Sequence, residues 1–401
     1  MKKESFSLYS LIETRFADPI SAISISKKNV IIGTMMGRIS SLSLIDKKII
    51  LLNELSSENI SGITFDNTEN YFYSAIGDEE ILKFNNDILN NTNSILKIKN
   101  YKNEIMHNRK CENMYSLISK NYLLLIELSP QDEGNITINK FDSFCQLTNL
   151  ENEEINNFYI EMTNYSIPLD FNGIFFIWVE FLSDKDRNLC IKNVFDNNEP
   201  VFKKKLDKNF GHISHCKIIN DFRIFLVRDL NKCEIREINK DFTLIKSFKN
   251  IGDEIIAIDS FIRSDIENNN NNNENNNIDS EKNEKNDILK VRNVENLNLN
   301  NKSSENEIIK ENSINKVSSA NDSERNFDGT IAILDIDGNI NFYENDKIYK
   351  KFNLYDIKEI NNEQKKKMFF SMGYAYYIKC NKNFICISSD HGCYVIKVNY
   401  K

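Results

Sequence analysis

Short apolar runs separated by polar residues recur along most of this chain. Near the start, ISAISIS is followed by NVIIGTM, RISSLSL and KIILL; later, HISHCKI is followed by RIFLVRD, CEIREIN and FTLIKSF. Such runs, rich in β-branched and aromatic residues and bounded by Asn, Asp, Lys or Gly, are typical of β-strands joined by hairpins. The pattern predicts an all-β protein, with one or two helical turns within Asp356–Phe370.

The strand-like runs form sets that repeat along the chain. Each set takes roughly 48 residues outside one low-complexity stretch, close to the roughly 40 to 45 residues of a four-stranded propeller blade. This rhythm predicts a seven-bladed β-propeller; another blade number and an array of β-sandwiches are the alternatives. The first strands of the sets are expected to begin near Ile20, Ile60, Met114, Phe158, His212, Glu254 and Tyr374.

The two ends of the chain complement each other. The run Ser5–Ile12 precedes the first complete set by one strand, whereas the last set, Tyr374–Val398, holds only three strands. If the N-terminal strand supplies the missing fourth strand, the ring closes and its sheet edges are protected. We therefore expect residues 4–400 to form a single propeller domain closed by its N-terminal strand.

The stretch 264–327 interrupts the repeat with Asn, Glu, Lys and Ser. These residues bury too little apolar surface to offset the entropy of ordering, so we expect a disordered, low-complexity insertion. The segment carries more than half of the net charge of −8. Because long surface loops add little closure entropy, a tolerated insertion is favoured over a tethered docking segment.

Turn-forming residues are unusual in this composition. The chain has only 12 Gly and 4 Pro, whereas average usage for its length gives roughly 28 and roughly 20. Asn and Asp tolerate a left-handed backbone best among the other residues, so we expect them to form the turns in that conformation.

Several dipeptides resemble those of the WD40-repeat family. Gly211-His212 precedes a first strand, as the Gly-His of the family does, and Tyr343-Glu344 stands where the family carries Trp-Asp. Turns between second and third strands are expected at Met36-Gly37, Asp337-Gly338 and His391-Gly392. The chain departs from the family in having one Trp, Trp178, and one Gly-His. The resemblance makes His212 and Asp229 the possible remnant of its structural hydrogen-bond network.

The resemblance implies a non-catalytic scaffold that binds other proteins or peptides, as a subunit of a larger complex and monomeric outside it. An enzyme with a site at the central mouth is the main alternative. Ionisable side chains converging in the central channel would favour the enzyme, and a bland channel would count against it. A phosphoinositide-binding propeller is a further alternative, but Phe261-Ile262-Arg263-Ser264 lacks the paired arginines that would grip phosphate.

Other catalytic and ligand-binding chemistry is weakly represented. The chain lacks Gly-rich phosphate loops, GxSxG and HExxH. Three clusters contain residue types found in metal or nucleophile sites, but buried thiols or turn pairs explain them better. We assign no catalytic, cofactor-binding or metal-binding residue. The clusters are Cys380, Cys386, His391 and Cys393; His212, His215 and Cys216; and Ser388, Ser389, Asp390 and His391.

Bulk properties narrow the setting. No stretch reaches the roughly 18 apolar residues of a membrane span, and no concentrated basic surface predicts nucleic-acid binding. The eight cysteines form no CxxC pair and lie mostly in apolar runs, as reduced core cysteines do. We expect an intracellular protein, cytoplasmic or nuclear, with no cofactor.

Overall fold

The computed structural model describes most of the chain outside residues 264–326. The described ranges are 4–14, 18–54, 59–76, 80–86, 95–100, 113–128, 140–152, 154–163, 165–183, 186–196, 202–220, 223–238, 241–248, 254–262, 329–344, 347–367 and 376–400. The chain divides into two units, one of them Met1–Arg263 with Phe327–Lys401. The other, Ser264–Asn326, lies outside the described residues, and so does the predicted insertion.

The described part of the first unit forms seven antiparallel sheets of four strands, six in meander order and the seventh completed by the N-terminal strand. Blade 1 consists of β2 (Ile20–Ile25), β3 (Asn29–Thr34), β4 (Arg38–Ser43) and β5 (Ile49–Glu54). Blade 2 consists of β6 (Ile60–Phe65), β7 (Tyr71–Ile76), β8 (Glu80–Asn85) and β9 (Ile95–Asn100). Blade 3 consists of β10 (Asn113–Ser119), β11 (Tyr122–Leu128), β12 (Lys140–Asn149) and β13 (Ile155–Thr163).

The next three blades repeat this order. Blade 4 consists of β14 (Ser166–Phe171), β15 (Phe175–Phe181), β16 (Arg187–Asn193) and β17 (Phe202–Leu206). Blade 5 consists of β18 (Ile213–Asn220), β19 (Arg223–Arg228), β20 (Lys232–Glu237) and β21 (Leu244–Phe248). Blade 6 consists of β22 (Ile255–Ile262), β23 (Gly329–Asp335), β24 (Asn339–Glu344) and β25 (Lys347–Asn353).

Both ends of the chain contribute to blade 7. Its strands are β26 (Ile378–Cys380), β27 (Phe384–Ser389), β28 (Gly392–Tyr400) and the N-terminal β1 (Glu4–Glu13). Strand β1 pairs antiparallel with β28, from Glu4 opposite Tyr400 to Glu13 opposite Gly392. The expected closure by the N-terminal strand is thus confirmed. The predicted helical turn is also present, as α1 (Asn362–Lys367) in the connection before blade 7.

The innermost strand of each blade contacts the innermost strands of both neighbours, which closes the seven sheets into a ring. The apolar core is divided accordingly into seven clusters, each between two adjacent blades. In the cluster between blades 3 and 4, the buried Trp178 stacks on Phe176 with ring centroids 4.9 Å apart. The structure is a seven-bladed β-propeller.

The predicted beginning of one blade was wrong. Phe158 does not begin the fourth blade, because it lies in β13 and pairs with Cys145 of β12. That strand is the outermost strand of blade 3, and blade 4 begins at Ser166. The alternating pattern of an outermost strand resembles that of an innermost one, so the pattern alone placed the boundary one strand early.

The expected role of Asn in the turns also needs correction. Among the described residues with positive φ other than Gly, Asp229 is the single Asp or Asn, with φ 49°. Asn instead stabilises turns through its side chain, whose Oδ1 accepts a backbone N–H two residues on. Asn149, Asn172, Asn193, Asn353 and Asn381 do so.

Candidate functional site

A cavity of about 430 Å³ opens among the innermost strands of blades 4, 5, 6 and 7. Its volume lies within the roughly 300 to 1,000 Å³ typical of ligand sites. Its lining includes the exposed residues Ile167 and His212, where β14 and β18 begin, and the buried Tyr376 just ahead of β26. The lining is mainly apolar, with a few ionisable groups from different blades.

The first of these ionisable groups are Asp170 of blade 4 and Lys217 of blade 5. Lys217 Nζ lies 3.1 Å from Asp170 Oδ1, and Asp170 Oδ2 accepts a hydrogen bond of 2.8 Å from the backbone N–H of Ile218. Both carboxylate oxygens are therefore engaged by the neighbouring blade. The contact joins two innermost strands that are far apart in sequence.

The same arrangement recurs between blades 6 and 7. Lys379 Nζ lies 3.2 Å from Asp259 Oδ1, and Asp259 Oδ2 accepts a 2.9 Å hydrogen bond from the backbone N–H of Cys380. Acidic and basic groups thus alternate over four successive innermost strands. We call Asp170, Lys217, Asp259 and Lys379 the charge belt.

The charge belt keeps Lys217 protonated. The Asp170 carboxylate raises the pKa of Lys217 above its ordinary value against the opposing effect of burial, and the Asp259 carboxylate raises it further. Next to it, burial raises the pKa of the Cys216 thiol well above its usual range. Lys217 is consequently a poor base and Cys216 a poor nucleophile at neutral pH.

His215 is the one imidazole in the cavity lining that is largely removed from water. Its Nε2 lies 3.1 Å from the carbonyl oxygen of Ile256 in blade 6, so Nε2 carries the proton and donates it. Nδ1 is buried and has no partner among the described residues. Burial lowers the pKa of His215, which favours the neutral ring.

The two predicted structural residues are hydrogen-bonded to each other, and His212 lines the cavity. Asp229 Oδ1 accepts a 2.9 Å hydrogen bond from the backbone N–H of His212, and Asp229 N–H donates to the His212 carbonyl oxygen. The imidazole ring itself is exposed and takes no part in these contacts. That the two residues are a remnant of the WD40 hydrogen-bond network stays a prediction.

The other sequence clusters form no compact site in the described part of the chain. Cys380, Cys386 and Cys393 are buried in blade 7, and the described residues contain no group of three His, Cys, Asp or Glu side chains placed to hold a metal ion. Ser389 Oγ donates to the Gly392 carbonyl oxygen within its turn, and Asp390 accepts from Tyr376 Oη at 2.5 Å.

The string weighed for phosphoinositide binding lies only partly within the described residues. In the Phe261-Ile262-Arg263-Ser264 string, Arg263 and Ser264 lie outside the described residues. None of the helices within the described ranges combines the length and apolar character that a membrane crossing needs.

Solved structures supply the comparison that sequence does not. No family model matches the chain, and no curated protein matches its sequence. The WD40 β-propeller domain of Doa1 superposes with a TM-score of 0.52 at 8% identity, covering 98% of this chain and 97% of that one. The chain has a WD40-like β-propeller fold. The computationally designed protein Ika8 is also similar, with a TM-score of 0.49 and 10% identity, over 99% of this chain and 100% of that one.

Sequence reasoning about this WD40-like propeller missed the charge belt. Each member is a single charge inside an otherwise apolar strand: SIPLDF, HCKII, AIDSF and YIKC. A lone charge in a first strand is the signal that was available, because such strands face the channel. The side chains come together only when the ring closes, so no local spacing reveals them.

Proposed function

We propose that this WD40-like propeller is a non-catalytic platform that binds a protein partner at the cavity lined by blades 4, 5, 6 and 7. The observation that carries the proposal is the mutual pairing of Asp170 with Lys217 and of Asp259 with Lys379. Ionisable side chains do converge in the channel, as expected of an enzyme. They are engaged in holding neighbouring blades together.

Pairing suits these groups to recognition more than to reaction. A general acid or base works best with a pKa near the operating pH, whereas Lys217 has its pKa raised and Asp170 has both oxygens occupied. A rigid, partly apolar cavity with fixed polar groups is typical of binding sites. Because the cavity lies inside a closed ring, its side chains need to rearrange little when a partner binds.

The proposal extends to the setting of the protein. We place it as a subunit of a larger complex, monomeric outside it, in an intracellular compartment. The seven described cysteines are buried thiols, which is the usual state in a reducing compartment.

Affinity purification of the tagged full chain at native level, with mass spectrometry of the eluate, tests the platform. We expect a stoichiometric complex that is lost, or reduced about tenfold, in Lys217→Gln/Lys379→Gln. Lys27→Gln, at an exposed lysine outside the cavity lining, is the matched control and should retain the complex. A chain that stays monomeric at every salt concentration would contradict the proposal. A complex that is retained in the double variant would show that the partner binds a different surface of the propeller.

An enzyme at the central mouth is the second candidate, because His215 lines the cavity and its buried Nδ1 has no partner among the described residues. A neutral imidazole with a free lone pair is a general base in many active sites. Soaking crystals with a substrate library, and comparing turnover by wild type and His215→Gln, tests this candidate. Turnover that disappears in His215→Gln would favour it over the platform.

A further inference from the structure

Among the charged side chains that line the cavity, hydrogen-bond donors outnumber acceptors. Asp170, the carboxylate in its lining, already accepts from Lys217 Nζ through Oδ1 and from Ile218 N–H through Oδ2. A cationic ligand would have to displace one of these partners. The charge belt therefore gives a positively charged group little to bind.

The ammonium groups are in the opposite situation. Each lysine carries three N–H donors, and Lys217 and Lys379 each donate one to an aspartate of the charge belt. No other described residue accepts from either Nζ. Within the described residues, each ammonium therefore keeps two N–H donors without a protein acceptor, and both lysines line the same cavity.

A third cation reinforces this excess of donors. Arg187 lines the cavity, and its Nη2 donates a 2.9 Å hydrogen bond to the carbonyl oxygen of Gly211. That bond fixes the guanidinium without neutralising it. Three cations therefore line the cavity, and the two carboxylates that pair with its lysines, Asp170 and Asp259, are both engaged.

We propose that the cavity binds a carboxylate from an acidic segment of a protein partner, held between Lys217 and Lys379. The inference rests on the proposed platform function and names the chemistry of its partner. Hydrogen bonds between ammonium and carboxylate groups are among the strong ones in proteins. The apolar part of the lining, including Val179, Phe181 and Ile258, suits an aliphatic or aromatic residue beside the acidic one.

Selection from a random peptide display library on the immobilised full chain tests the proposal and needs no identified partner. The peptides enriched on wild type should carry Asp or Glu next to an apolar residue. Synthetic versions should lose about tenfold or more in affinity when that residue becomes Asn or Gln. Inorganic phosphate at millimolar concentration should compete weakly, because it lacks the apolar contacts.

Substitutions in the charge belt should change peptide affinity in opposite directions, depending on whether a lysine or an aspartate is replaced. Lys217→Gln and Lys379→Gln should each lower the affinity for the selected peptides about tenfold, while Lys27→Gln should leave it unchanged. Asp259→Asn should strengthen binding, because it removes a competing charge from Lys379. Thermal unfolding of each variant verifies that the ring is intact.

Three results would overturn the inference: enrichment of basic or uncharged peptides, no enrichment at all, or binding that is indifferent to both lysines. Phosphate that displaces the peptides fully at equal concentration would assign the cavity to small anions instead. A complex that persists in cells although acidic peptides are not selected would refute the acidic ligand and leave the platform function standing.

Discussion

Asp259 accepts a 2.9 Å hydrogen bond from the backbone N–H of Cys380, although 121 residues separate the two in sequence. Lys379 adds an ion pair to the same carboxylate at 3.2 Å. The aspartate therefore fixes the innermost strand of blade 7 to that of blade 6. Asp170 plays the same part between blades 4 and 5.

Loss of the Asp259 charge should weaken the junction between blades 6 and 7. Its side chain is 6% exposed, and hydrogen bonds to charged groups contribute about 1.5 to 3 kcal/mol each. Asp259→Leu should lower the free energy of unfolding in urea by about 2 to 3 kcal/mol, and Asp259→Asn by less. Asp186→Asn, which removes an exposed partner of Lys205, is the control and should change little. Equal effects of Asp259→Leu and the control would contradict the junction.

The segment between β22 and β23 should be replaceable by a short turn. Ile262 and Gly329 are directly opposite each other in the ladder, so the hairpin needs no more than a few residues to connect them. Shortening the connection from 66 residues to about four should stabilise the fold by about 2 kcal/mol, because each doubling of loop length costs about 0.6 kcal/mol. The measurement is the urea midpoint, and an insoluble or non-cooperative product would refute the blade assignment.

Closure of the ring makes Gly392 sensitive to substitution. A Cβ at Gly392 would lie 2.3 Å from the carbonyl oxygen of Ile12, so Gly392→Ala should push β1 away from β28. Gly173 also has positive φ, but its Cβ would meet nothing closer than 3.4 Å. Gly173→Ala should thus cost only the backbone strain, about 1 to 2 kcal/mol, and Gly392→Ala clearly more. Similar melting temperatures for the two variants would argue against closure by the N-terminal strand.

His215 should make stability depend on pH. Burial lowers the pKa of His215 from an ordinary value near 6.5. Just below that pH, the imidazole is therefore protonated in the unfolded chain but still neutral in the folded protein. Stability should therefore fall on acidification below about pH 6.5, by at most about 1.4 kcal/mol per pH unit from this group. His215→Gln should remove that part of the dependence while retaining a donor to Ile256.

Urea titrations from pH 7.5 to 5 measure this difference. His212→Gln, at an exposed ring, provides the matched control and should follow the wild type. Parallel curves for wild type and His215→Gln would show that the imidazole is protonated in the folded state as well.

The sequence predicted the architecture because the strands and turns of this fold follow from the local alternation of apolar and polar residues. Seven sets of apolar runs, and an N-terminal run such as Ser5–Ile12 facing a three-stranded last set, depend only on alternation and turns. The boundary at Phe158 failed because an outermost strand carries the same alternation as an innermost one. Position within a blade is a property of pairing, which local pattern does not contain.

The candidate site could not be predicted for a related reason. Asp170 and Lys217 lie 47 residues apart, and Asp259 and Lys379 lie 120 apart. Their approach depends on the ring and on its local geometry. In β14, for example, a bulge between Pro168 and Asp170 resets the alternation just before the aspartate. A single extra residue of this kind redirects a side chain, and no feature of the string SIPLDF reveals it.

Hydrogen–deuterium exchange on the partner complex, compared with the isolated chain, tests the central claim most directly. If the protein is a platform that binds through the cavity, protection should concentrate in the segments Ile167–Asp170, His212–Lys217 and Tyr376–Lys379. The same segments should lose that protection in Lys217→Gln/Lys379→Gln. Protection confined to outermost strands such as Ile49–Glu54, with the cavity segments unchanged, would contradict it.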